Sequence, residues 1–141
     1  MCHALYIASD KPLPLREWDE ENPGFWVGVL HEDDLVVRKQ FSLPFVVYAG
    51  SFEGCSCGFV YDNEPIGDDE LELQYDQQAR ESVKRLGEYV SNILKDGSVE
   101  MFACWEGEQE QEPNQRLVVG LECFNGKEFG FEGIKHFKVT A

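Results

Sequence analysis

Short apolar runs, separated by polar, proline- and glycine-rich joints, fill both ends of this chain, and one long stretch with a different rhythm lies between them. The runs predict strands at 4–8 (ALYIA), 25–30 (FWVGVL), 45–50 (FVVYAG), 99–105 (VEMFACW) and 116–121 (RLVVGL). Each is rich in the β-branched and aromatic side chains that suit a pleated, buried surface. Residues 11–24, with Pro12, Pro14 and Pro23, read as a loop, as does the segment 63–69, and 35–41 fits either a strand or a helical turn. From Tyr75 the apolar positions recur at gaps of three and four, through Ala79, Val83, Leu86, Val90, Ile93 and Leu94, which traces one face of a helix over about 75–95. Asp68 or Asp69 suits its N-cap, Lys95 its last turn and Gly97 its C-terminal cap. Near the end, Asn125-Gly126 and Glu132-Gly133 are both turn signals. The second is flanked by alternating Phe129, Phe131 and Phe137, Val139 and is the predicted hairpin.

The strand before the helix and the strand after it form a β–α–β unit, whose strands run in the same direction with a right-handed crossover. The expected fold is therefore α+β: a single domain over 1–141, built on one mixed, mostly antiparallel sheet with one β–α–β crossover and the long helix packed on a face. A chain of 141 residues, 43% of them hydrophobic and ten of them Phe, is long and apolar enough to bury a core without disulfide or metal staples.

Charge narrows the partners. The formal net charge is −15, and residues 62–112 hold fifteen acidic against four basic side chains. Such a field repels phosphate backbones and anionic lipid, so nucleic acid and membrane surfaces are poor partners. A protein partner meeting the acidic 62–112 side, or a metal ion, remains compatible with it. No run approaches a transmembrane length, and the opening MCHALYIASDKP lacks a basic n-region and a signal-type apolar core, so a cytoplasmic location with reduced thiols is expected. Five cysteines, an odd number, exclude a complete disulfide framework.

The cysteines are the candidate chemistry. In SFEGCSCGF, Cys55 and Cys57 lie one residue apart between Gly54 and Gly58, just after the third predicted strand. Cys104 lies near the end of the fourth, and parallel strands finish at one edge of a sheet. If the first strand runs antiparallel to both, Cys2 and His3 arrive at that edge too. Cys55, Cys57, Cys104 and Cys2, with His3 in reserve, would make a four-ligand site for zinc. The same sulfurs also suit thiol redox work, because a disulfide across one residue is strained and easily reduced, or simple burial as small apolar groups. Removal of Met1 would leave Cys2 with a free amine, the arrangement of N-terminal-nucleophile hydrolases. The opening resembles the start of glutamine amidotransferases in that respect, but His3 stands where they carry Gly, and the chain is shorter than their domain. His31 and His136 are isolated in sequence, and the nucleotide-binding, zinc-protease and serine-hydrolase motifs are absent.

Taken together, MC-x-ALYIASDKPLPL, FSLPFVVYAGSFEGCSCGF and VEMFACWEGE resemble a family of small uncharacterised bacterial proteins carrying a Gly-Cys-x-Cys-Gly-Phe segment. The resemblance implies a bacterial cytoplasmic protein and attaches no activity to the cysteines. Two functional classes follow: a cysteine-centred site, metal-binding or thiol-reactive, or a non-catalytic acidic interaction module in which the cysteines only pack.

Overall fold

In the computed structural model, which describes residues 2–21, 24–59, 70–124 and 133–141, six strands form one open mixed sheet. They are β1 (His3–Ser9), β2 (Phe25–Gly28), β3 (Phe45–Ser51), β4 (Val99–Trp105), β5 (Gln115–Gly120) and β6 (Lys135–Thr140), in the spatial order β2-β3-β1-β4-β6-β5. Every pairing is antiparallel except β5 with β6. The helix α1 (Glu70–Leu94) joins β3 to β4, which run the same way with β1 inserted between them. The fold is thus α+β, as expected, and the crossover steps over the central strand.

All seven residues of β1 are buried, because it has a strand on each side and a layer on each face. Leu5 and Ile7 point toward α1, where they meet Val47, Met101, Phe137 and the helix residues Val83, Leu86 and Val90. The helical face read from sequence is the face that packs here. Ala4 and Tyr6 point the other way, into a smaller cluster with Phe102, Cys104 and Val37. Val37 belongs to a 3-10 helix, Glu32–Gln40, which resolves the ambiguity over 35–41 in favour of helical turns. Among the described residues no helix is long and apolar enough to cross a membrane.

Two local expectations change, and two others fall outside the described residues. Gly97 does not adopt a left-handed cap. Its importance is closeness: a Cβ there would lie 2.9 Å from the Asp10 carboxylate, which accepts a hydrogen bond from the Ser98 N–H at 2.8 Å. The caps at Asp68 and Asp69, and the Phe129–Phe131 arm of the predicted hairpin, lie outside the described residues, while β6 takes its partners from β4 and β5. His136, which looked isolated, is paired. Its Nε2 lies 2.6 Å from Glu100 Oε2, and Glu100 Oε1 accepts from the Ser42 hydroxyl at 2.6 Å and the Ser42 N–H at 3.1 Å. Both ring and carboxylate are buried on the face opposite α1, so each needs the other.

Glu100→Ala leaves those donors without a partner and lowers unfolding stability by about 1–3 kcal/mol in urea titrations. Val118→Ala, at an exposed site, stays within about 0.5 kcal/mol.

Candidate metal centre

β1 and β3 are paired from Ser9↔Phe45 only as far as Leu5↔Ala49. On its other side β1 stays paired with β4 to His3↔Trp105, while β3 continues to Ser51 against β2 alone. The sheet therefore opens between the start of β1 and the end of β3, and backbone groups facing the opening need partners. A 3-10 turn, Ser56–Phe59, fills it. The Ser56 hydroxyl accepts from the Leu5 N–H at 2.8 Å and donates to the Ala49 carbonyl at 2.7 Å. Further out, the His3 N–H donates to Cys57 Sγ at 3.2 Å.

The loop that carries the cysteines is fastened from below by Ser51. Its N–H donates to the Cys55 carbonyl at 2.9 Å, its carbonyl accepts from the Gly54 N–H at 3.0 Å, and its hydroxyl oxygen accepts from the Gly58 N–H at 3.0 Å. Trp26 Nε1 holds the Gly54 carbonyl at 3.1 Å. The Phe52 N–H donates to the Ser82 hydroxyl of α1, which in turn donates to the Gly24 carbonyl at 2.6 Å. The two glycines flanking the cysteines have separate reasons. Gly54 has φ +86°, a region that side chains disfavour, and a Cβ on Gly58 would come within 2.3 Å of Ser51 Oγ.

This scaffold brings Cys2, Cys55 and Cys57 together, with their sulfurs all within 4.8 Å of one another. Cys2 is exposed and the other two are half-buried, so the group is open on one side. Tyr75, near the start of α1, stands edge-on to Phe52 with ring centres 5.2 Å apart. Its phenol is pushed up to about 12, first by burial and then by the negative charge that Glu53, Cys57 and Cys55 can carry.

The other predicted ligands go elsewhere. Cys104 does not join the group: it faces away from α1, buried with Ala4, Tyr6, Val37 and Phe102. It lies level with Ala4, further into the sheet than Cys2, and its thiol is enclosed by that cluster. His3 also lies outside the group, with its ring against Trp105 at 3.7 Å between centres. Cys123 sits on a 3-10 turn, Leu121–Phe124, against the α1-side core.

Electrostatics separates the chemistries. Burial pushes the Cys57 thiol up to about 12; the His3 N–H opposes this, while Cys55 and Cys2 add to it. A catalytic or redox-active thiol needs the reverse, a lowered pKa beside a cation or helix N-terminus. Sequence reasoning missed Ser51, Ser56 and Ser82, whose hydroxyls aim the loop, although the spacing of Ser51 and Ser56 around Gly54 was a readable turn signal. No protein-family model matches the chain, and no curated protein or solved structure matches it either.

Ser56→Ala removes the bridge between Leu5 and Ala49 and lowers stability by about 1–3 kcal/mol, with the Leu5 amide losing protection from hydrogen exchange. Alkaline pH acts on the buried thiols. Burial pushes Cys104 and Cys123 up to about 12, whereas an unfolded thiol ionises near about 8.5. The folded state then keeps protons that the unfolded state releases, so stability is full below about pH 8.5 and falls steadily toward about pH 12. Urea midpoints measured in reductant across that range will show the decline.

Proposed function

We propose that this protein binds a single metal ion through the thiolates of Cys2, Cys55 and Cys57. The observation that carries the reading is the convergence of the three sulfurs within 4.8 Å from two distant parts of the chain, on a loop fixed by hydrogen bonds at nearly every residue. Metal–sulfur bonds of about 2.3 Å place thiolates roughly 3.8–4.0 Å apart around one ion, so the group needs little movement to close. Iron–sulfur clusters spread their thiolates over separate iron atoms, and three sulfurs this near one another suit a single centre better. Burial pushes the Cys57 thiol up, which disfavours it as a nucleophile; a bound metal would have to displace that proton. Zinc, the ion expected from the sequence, would take these three sulfurs and complete its tetrahedron with a solvent oxygen, since Cys104 is buried outside the group.

Reduced full-length protein should bind one equivalent of zinc or another thiophilic ion, measured by metal analysis after gel filtration. Cys55→Ser or Cys57→Ser should abolish binding, while Cys104→Ala and Cys123→Ala retain it. Thiols must lose protons to bind, so affinity should rise with pH. Equal binding by the Cys55 and Cys57 variants, or none by the wild-type chain, refutes the reading.

A further inference from the structure

Resting on the metal-binding reading above, the geometry points to monovalent copper, held by Cys2, Cys55 and Cys57 in three-coordinate form, as the ion this site selects over zinc. The donor set is entirely sulfur. No His, Asp or Glu among the described residues belongs to the group, so nothing in it suits calcium, magnesium or manganese. Soft thiolates select copper(I) and zinc among the common ions. Between these two the number of donors decides. Zinc in a closed protein site takes four ligands, and with three it keeps an open position for water or substrate.

Among the described residues, the two that the sequence offered as further ligands lie outside the group. Cys104 is fully buried with Ala4, Tyr6, Val37 and Phe102. His3 has its ring stacked on Trp105, in the strand that pairs with its own backbone. Copper(I), softer than zinc and content with low coordination numbers, is satisfied by three sulfurs, so it needs neither residue. The mounting of the sulfurs agrees. Cys55 and Cys57 are set on a hydrogen-bonded turn, the His3 N–H donates to the Cys57 sulfur, and exposed Cys2 supplies the third sulfur. Binding is a ligand exchange: each thiol that enters as the neutral form releases one proton, and the copper stays in the +1 state throughout.

The test is competition on the reduced, full-length protein, using copper(I) buffered with bicinchoninate in the presence of excess zinc, followed by X-ray absorption of the loaded protein. The expected result is one copper(I) per chain that zinc does not displace, with three sulfur neighbours and no nitrogen or oxygen. Cys57→Ser, with its folding verified by circular dichroism, should weaken copper(I) by more than the roughly 10–100-fold that loss of an outer partner costs at metal sites. Zinc retained at one equivalent against copper(I), or a nitrogen or oxygen ligand on the copper, overturns the preference and leaves the metal-binding reading standing. Failure of both ions to bind wild-type protein overturns both.

Discussion

The structure depends on how the backbone of β1 is satisfied where its two neighbours stop agreeing. β4 accompanies β1 to His3, but β3 leaves it at Leu5 to finish against β2. Buried N–H and C=O groups left open there would each cost as much as a lost hydrogen bond. The chain meets that demand with side-chain oxygen and sulfur in place of another strand. The Ser56 hydroxyl stands in for a ladder bond, and the Cys57 sulfur takes the next N–H. Two of the loop's tasks, completing the sheet and presenting the cysteines, are therefore performed by adjacent residues, and neither can shift without the other.

Much of the architecture was legible in the sequence because it follows from periodicity. Ala79, Val83, Leu86 and Val90 could only be one helical stripe, and all four are buried. The apolar runs became β1 to β5 with their ends moved by a residue or two, and β1 does pair antiparallel with both β3 and β4, the condition on which Cys2 reaches that edge. What periodicity cannot carry is depth within the sheet and long-range pairing. Cys104 was placed at the correct edge but lies level with Ala4, where Tyr6, Val37 and Phe102 enclose its thiol. His136 and Glu100 are 36 positions apart, and nothing local announces that one buried group is answered by the other. The serines of the cysteine loop were passed over for a similar reason: a hydroxyl has no periodicity, and its value appears only when the unpaired backbone it serves is known.

Polar groups are divided unequally between the two faces of the sheet. On the α1 side the core is aliphatic and aromatic, and the buried polar groups beside it are the small hydroxyls of Ser51, Ser56 and Ser82. On the other side larger polar groups enter the buried layer: the Tyr6 hydroxyl accepts from Gln109, which also donates to Asp34, and Glu100 binds His136 and Ser42. The covering there is a 3-10 helix, a thinner layer than α1 and one whose carbonyls are less completely used. A face with that much internal hydrogen bonding holds its shape by satisfying polar atoms and relies less on apolar area.

The position of β1 also sets the order of events during synthesis. Its seven residues are made well before those of β4, yet they join two halves of a sheet that would otherwise be separate. Its partner in β4 ends at Trp105, so at ordinary translation speeds the keystone waits roughly 5–20 s for the strand that completes it. Through that interval an apolar strand with both edges bare has only β3 to shelter one of them. Until β4 is made, the nascent β1 therefore carries an unpaired apolar edge.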